Sequence, residues 1–339
     1  MSLSIGIVGL PNVGKSSLFQ ALTKKQVDIA NYPFATIDPN VGVIAVPDER
    51  LLRIAECVHS GRMVNAIVEF IDIAGLVAGA AAGEGLGNQF LQYIREVDVI
   101  VEVVRAFPGT DIAHVMETVD PLRDIAAIET ELLLKDLETT TRAVEKREKE
   151  AHGSAEAAEA LLPLRLLQQT LEAGKRLGPE HAALAAEFKL LSAKPVLYAF
   201  NVRGGTSMPD NIPKSAVVLD IKEELEQSAI SEAEQQELGF YSRLPALVGS
   251  AYALLGLITF FTAGEKEARA WTLRQGTNAR DAGSAIHSDF TERFIRASIV
   301  SYEDFISCKG WANARAQGKL RTEGRDYIVK DGDVVEFKI

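Results

Sequence analysis

Cysteine is nearly absent. Cys57 and Cys308 are the only two in 339 residues and stand far apart, outside any metal-ligand spacing. That excludes a disulfide framework and suits a reducing compartment. Positive charge is also short: the net charge is −11 and the pI is about 5.1. A whole-surface attraction to duplex DNA or to an anionic membrane is therefore excluded, and any RNA contact must use a local patch. No basic-then-apolar leader opens the sequence, so a cytoplasmic protein is expected. Long apolar runs are missing with one exception, the uncharged stretch from Leu244 to Gly264. Its length would suit a membrane span, but Gly249, Gly256 and Gly264 divide it and Leu257-Ile258-Thr259-Phe260-Phe261-Thr262 is β-branched and aromatic. A buried helix followed by a buried strand is expected there. What is present is a globular balance, 47% apolar and 24% charged, in a chain long enough for two or three domains.

The chain is organised around Gly9-Leu10-Pro11-Asn12-Val13-Gly14-Lys15-Ser16-Ser17. Two glycines at this spacing before Lys-Ser make a loop whose backbone N–H groups surround phosphates. The context fits, because Leu3 to Val8 reads as a short buried strand and Leu18 to Leu22 as the start of a helix, whose N-terminus favours an anion. Residues Asn12, Val13, Gly14, Lys15, Ser16 and Ser17 are thus expected to bind nucleotide. Lys15 would reach the β- and γ-phosphates and serve catalysis by neutralising their charge, and the Ser16 hydroxyl would hold Mg²⁺.

Downstream, the proline-bounded loop from Asn31 to Asn40 carries one hydroxyl, Thr36. Strands are expected at Val41–Val46 and Ala66–Ile71, the second ending in Asp72-Ile73-Ala74-Gly75. A carboxylate and a glycine at the end of such a strand can serve the Mg²⁺ side of a phosphate site, which makes Thr36 and Asp72 further metal candidates beside Ser16. The glycine-rich run from Gly79 to Gly87 reads as a segment that responds to the γ-phosphate. More strands are expected at Val97–Val104, Lys194–Phe200 and Ser215–Ile221, giving a mostly parallel sheet. Between them, leucines at helical spacing from Asp124 to Leu177, broken at His152-Gly153-Ser154, predict a projecting antiparallel helical hairpin. From Thr277 onward short strands return, and Lys330-Asp331-Gly332-Asp333 predicts a β-hairpin between Arg325–Val329 and Val334–Phe337. Six basic residues against two acidic ones between Lys309 and Lys330 read either as a solvated face or as a nucleic-acid contact.

The runs GIVGLPNVGKSSLF, NYPFATIDPNVG, EFIDIAGLVAGAAAGEGLGNQFL, FFTAGEKEARAWT and IHSDFTERFIRA together resemble the YchF group of Obg-related, translation-factor-class P-loop NTPases. The resemblance spans nearly the whole chain and thins out between Leu161 and Gln236. It implies an α/β fold: a P-loop NTPase domain with a mostly parallel sheet, a helical coiled-coil insertion and a C-terminal ubiquitin-like α+β TGS module. The corresponding boundaries are 1–123 and 191–276 for the two parts of the nucleotide domain, 124–190 for the insertion and 277–339 for the TGS module. It further implies hydrolysis of ATP and association with the ribosome, chiefly its large subunit.

Three positions bear on chemistry. Leu76 follows Asp72-Ile73-Ala74-Gly75 where many GTPases place a Gln, and a Leu cannot hold the attacking water. The resemblance offers His114 as the catalytic group instead, its imidazole orienting or deprotonating water. The base-reading position is Asn201-Val202-Arg203-Gly204, with Asn201 and Val202 expected beside the base. No carboxylate stands at 204, although the family pattern has Glu there, so the acceptor that rejects adenine is missing. ATP is expected over GTP, with GTP possible. Asn12 marks a K⁺ site in related NTPases, so K⁺ joins Mg²⁺ as an expected ion. The expectation is a slow Mg-dependent ATPase that regulates translation. The alternative is a nucleotide-gated binding module or GTPase switch whose hydrolysis is incidental.

Overall fold

The computed structural model describes residues 3–24, 39–73, 86–108, 118–150, 155–204, 212–214 and 216–339. Two six-stranded sheets carry it. The first contains β1 (Ser4–Val8), β2 (Val41–Ala45), β4 (Ile67–Asp72), β5 (Val99–Arg105), β6 (Val196–Asn201) and β7 (Ala216–Leu219). Their order is β2-β4-β1-β5-β6-β7, parallel throughout except for the edge strand β2, which runs antiparallel to β4. Val99-Ile100-Val101-Glu102-Val103-Val104-Arg105 is buried at every residue, as a central strand covered on both faces must be.

Alternate residues of β5 feed two different cores. Val99, Val101 and Val103 join Ile5, Ile7 and Leu18 of α1 (Lys15–Thr23), and Leu247 and Ala251 of a helix at Leu244–Leu254 close that face. Ile100 faces the other way, with Val8, Ile73, Leu91 and Ile94. The last two lie on a helix at Leu86–Glu96. The period of two along the strand thus seats helices on both sides and aims the carboxyl ends of β1, β5, β6 and β7 at one edge, where such sheets bind ligands.

The hairpin is built from a 30-residue helix, Pro121–Glu150, and an 18-residue helix, Ala155–Glu172. Val144, Leu161 and Leu164 form its inner seam, and Leu167 and Leu171 meet Leu190 nearer the root. Each fully buried leucine contributes about 1.5–3 kcal/mol. Gln168 to Thr141 and Arg165 to Glu148 fix the antiparallel register. The expected break at His152-Gly153-Ser154 lies outside the described residues.

The second sheet corrects two expectations. It contains β3 (Met63–Val64), β8 (Leu257–Ala263), β9 (Ala268–Arg274), β10 (Arg296–Ser301), β11 (Arg321–Glu323) and β12 (Asp333–Lys338), in the order β11-β10-β12-β8-β9-β3. The C-terminal sheet therefore takes in Leu257 to Arg274, ahead of the expected start at Thr277. The reason is non-local pairing: β12 runs parallel to β8, with Val334 opposite Phe261. The expected Asp-Gly hairpin does not form either. Its second strand pairs with β10 and β8, because Asp331 is taken up elsewhere: its carboxylate accepts from Thr259 N at 2.8 Å, and Gly332 N donates to Thr259 O at 2.8 Å. The turn pins the chain to β8 instead of reversing it. Leu244 to Gly264 is a helix followed by a strand, as expected, and among the described residues no helix is long and apolar enough to cross a membrane.

The two sheets share one core. Leu51 and Ile54 of α2 (Glu49–Cys57) pack with Phe261, Ala268, Phe305 and Val334. Arg50 reaches from Asp48 to Asp331, at 2.8 and 2.6 Å, and lies over Phe261. Strand β3, supplied by the first half of the chain, completes the second sheet beside β9.

Candidate nucleotide site

The phosphate loop needs its glycines for space as well as for backbone angle. A Cβ on Gly9 (φ 146°) would sit 2.5 Å from the Val103 carbonyl oxygen, and one on Gly14 (φ 109°) 2.7 Å from Asn201 Nδ2. Asn12 also adopts a left-handed conformation, φ 63°. Val13 is buried and anchors the loop in the core. Gly14 opens α1 without a capping side chain, and the first turn carries no acidic residue, so nothing in the helix competes with an anion for the N–H groups of Lys15, Ser16 and Ser17. The Lys15 ammonium donates to the Leu10 carbonyl at 2.6 Å. Burial lowers its proton affinity, and the carboxylate of Asp72 pulls the other way.

Asp72 ends β4, opposite Ile7 of β1 and 4% exposed. Its backbone N–H donates to the Asn40 carbonyl at 3.0 Å, which fixes the strand end. The hydroxyl of Ser16 and this carboxylate are both hard oxygen donors of the kind that fits Mg²⁺ bridged to phosphates. Among the described residues no cluster of three or more His, Cys, Asp and Glu forms a metal site. Thr36, Gly75, Leu76, the glycine-rich run to Gly85 and His114 lie outside the described residues.

Asn201 is the junction of the site. Its Nδ2 donates to the Val13 carbonyl at 2.8 Å, its Oδ1 accepts from Ile221 N at 3.2 Å, and its own carbonyl accepts from Ala106 N at 2.9 Å. One buried residue thereby joins the phosphate loop and the helix at Ile221–Gln227 through its side chain, and the exit of β5 through its backbone. The sequence suggests a base contact for Asn201; these hydrogen bonds show that it also brackets the phosphate loop. Val202 N donates to Leu219 O. Beyond it a groove of about 630 Å³ opens, lined by Val202, Arg203, Gly204, Leu219, Asp220 and Tyr241 among others. The Asp220 carboxylate is engaged as a helix cap by Lys222 N and Glu223 N. Among the described residues, none other than Gly204's own chain neighbours has an atom within 4 Å of where a Cβ on Gly204 would stand.

Sequence reasoning missed the stack at Phe107, whose ring meets both the Arg105 and the Arg203 guanidinium. It also missed Glu102, buried among valines. A single charged residue inside Val99–Val104 was the available signal. The basic patch between Lys309 and Lys330 is partly self-paired, Lys319 with Asp304 and Arg321 with Glu323 and Asp333.

Comparison with known proteins agrees with this geometry. Residues 4–149 match a family model described as a 50S ribosome-binding GTPase, and residues 257–339 match the YchF-GTPase_C model, described as a protein of unknown function. The chain is 43% identical over 365 residues to a protein of Bacillus subtilis named ribosome-binding ATPase YchF, covering 100% of this chain and 99% of that one. A Haemophilus influenzae protein of the same name is 44% identical over 360 residues, with the same coverage. The solved structure of the Schizosaccharomyces pombe YchF GTPase superposes with a TM-score of 0.89 at 36% identity, covering 99% of this chain and 98% of that one. With its phosphate loop, its two sheets and its full-length identity to these relatives, the chain belongs to the YchF family of P-loop nucleotide hydrolases.

Proposed function

We propose that this chain is a magnesium-dependent ATPase that works on the ribosome, chiefly on its large subunit. The ribosome reading comes from the relatives' names and the family resemblance. The ATP reading rests on the base-side segment. A guanine-selective site needs a carboxylate to accept from the ring N–H and the exocyclic amine, and position 204 holds a glycine, which has none. The nearby Asp220 carboxylate is already committed to two backbone donors.

In this reading the amides of Val13 to Ser17 and the Lys15 ammonium hold the triphosphate, and Lys15 neutralises charge as the terminal phosphate leaves. Ser16, Thr36 and Asp72 would hold Mg²⁺, which would supply charge neutralisation to the triphosphate. Asn12 contributes to a K⁺ site in the same loop. Asn201 keeps the loop in shape through Val13 and, with Val202, lies beside the base. His114 orients or deprotonates the attacking water in place of the Gln that Leu76 replaces.

Titration of ATP and GTP side by side against the wild-type chain and a Gly204→Glu variant tests this. The wild type is expected to hold ATP more tightly, and the variant to shift the ratio between the two while the triphosphate grip is kept. Equal or tighter GTP binding by the wild type overturns the base assignment.

A further inference from the structure

Asp220 stands where the base-side segment meets the groove. The residue before it, Leu219, pairs with Asn201 across the sheet and its carbonyl accepts from Val202 N at 3.0 Å. The residue after it, Ile221, donates its N–H to Asn201 Oδ1 at 3.2 Å. Asp220 is thereby held beside Val202, and both line the groove with Gly204. Its Oδ1 caps the helix at Ile221–Gln227, accepting from Lys222 N and Glu223 N, each at 3.1 Å. Its Oδ2 takes no hydrogen bond from any described residue, and the side chain is half-buried rather than enclosed.

One open oxygen is too few for guanine and enough for adenine. Guanine offers a ring N–H and an exocyclic amine side by side, and a carboxylate that accepts both needs both of its oxygens. Asp220 has one of them engaged by the helix. Adenine offers a single amine at the six position, which one oxygen satisfies. Guanine carries a carbonyl oxygen at that same place, and two acceptors facing each other leave both without a donor. The other carboxylates of the groove are less suited. Glu224 is buried and accepts from Ser242 Oγ and Arg243 N, while Glu223 is exposed on the first turn of the helix.

We propose that Asp220 is the residue that selects adenine: its Oδ2 accepts from the six-amino group of the base and repels the six-oxo group of guanine, in place of the carboxylate that position 204 lacks. This rests on the reading of the nucleotide site given above, in which the base lies beside Val202. Capping by itself predicts no difference between bases, since Oδ1 serves it and Asn or Ser does the same. An asparagine at 220 keeps the cap and can turn an amide donor toward the six position, which suits guanine instead.

The test is calorimetric titration of the full chain, with Mg²⁺ present, against ATP, GTP, inosine triphosphate and purine riboside triphosphate. Inosine carries the six-oxo group without guanine's two-amino group, and purine riboside carries neither. The wild type should hold ATP about ten- to a hundredfold more tightly than purine riboside triphosphate, as one hydrogen bond to a charged acceptor allows. Inosine triphosphate should bind no better than purine riboside triphosphate. In Asp220→Ser, which keeps the cap and removes Oδ2, the advantage of ATP over purine riboside triphosphate should shrink to within about threefold. In Asp220→Asn the ratio of ATP to inosine triphosphate affinity should drop by about tenfold or more. Glu223→Gln should behave as the wild type. Equal binding of ATP and purine riboside triphosphate by the wild type overturns the proposal without need of a variant. So does an ATP advantage that survives in both Asp220 variants, one lost equally in Glu223→Gln, or a loss spread evenly over all four triphosphates, which a damaged cap would give. Failure of the nucleotide-site reading would show separately, as GTP held by the wild type as tightly as ATP, or as nucleotide retained by Lys15→Ala.

Discussion

Replacing Glu102 by Gln should make the protein more stable, and increasingly so as the pH rises. Glu102 is 2% exposed on the central strand β5, facing Glu129 and Asp124 on the long hairpin helix, Arg176 beyond the hairpin and Tyr198 on β6. Glu129 is engaged by the Tyr198 hydroxyl at 2.9 Å and by Arg176 at 2.8 Å. Burial first, then the charges of Glu129 and Asp124, push the Glu102 carboxyl up to about 8 from an ordinary 4.5, against the pull of Arg176. Between those values the folded chain keeps a proton that the unfolded chain has lost, so stability falls as pH rises through that window and levels off above about 8. At 1.36 kcal/mol per pH unit, the whole window corresponds to about 5 kcal/mol, of which about 3 kcal/mol is lost between pH 6 and pH 9. Glutamine has nearly the shape of the protonated carboxyl and no charge to acquire. The assay is thermal unfolding of both proteins at pH 6, 7, 8 and 9. At about 2 °C per kcal/mol for a chain of this size, the gap in Tm should widen by roughly 5 °C across the series. A gap that stays constant from pH 6 to pH 9 refutes the reasoning, because every other titrating group is common to both chains.

Gly14→Ala adds a Cβ 2.7 Å from Asn201 Nδ2 at a backbone angle that costs an L-residue about 1–2 kcal/mol. It should reduce nucleotide affinity by more than tenfold and lower Tm by about 2–4 °C; calorimetric titration checks the affinity, and wild-type affinity would count against the loop as drawn. Asp331→Ala removes the acceptor for Arg50 and for Thr259 N. Loss of that buried backbone partner should cost about 1–3 kcal/mol. Limited proteolysis should then cut near residues 328–333 sooner, while nucleotide binding stays at the wild-type level.

What was legible in the sequence was local. The phosphate loop, its flanking strand and helix, and the leucine seam of the hairpin are each specified by residues within a few positions of one another. What stayed hidden depended on partners far along the chain. Thr277 looked like a boundary because composition changes there, yet the sheet is set by β12 pairing beside β8, with Val334 opposite Phe261. Asp331-Gly332 carried the signal of a tight hairpin, but a carboxylate that finds Thr259 N and Arg50 gains more than a two-residue turn offers. Asn201 was read as a base contact because the motif places it there, and its hydrogen bonds to Val13 and Ile221 could be seen only once the ends of β1, β6 and β7 stood side by side.

The same pairing decides what a nucleotide signal can move. A C-terminal module separate from the first sheet would be free to swing as a body. Instead β3 lies in the C-terminal sheet, α2 packs under it, and Arg50 spans from Asp48 to Asp331. Swinging the second sheet away would expose Leu51, Ile54, Phe261, Phe305 and Val334, all less than 3% exposed. At about 1.5–3 kcal/mol for each large apolar side chain, that costs on the order of 10 kcal/mol, far above the 1–3 kcal/mol that typically couples a ligand to a distant site. The hairpin is held differently. Its root meets the first sheet through a few apolar residues, among them Ile125, Ile128 and Leu132, and through the Glu102, Glu129, Arg176 and Tyr198 group. A change at the carboxyl ends of the strands reaches that group along β5 and β6, whose residues Glu102 and Tyr198 are paired in the sheet. On the same scale Ile125, Ile128 and Leu132 hold the hairpin root by about 5–9 kcal/mol, less than the second sheet but still above that typical coupling, so neither part is released whole by nucleotide.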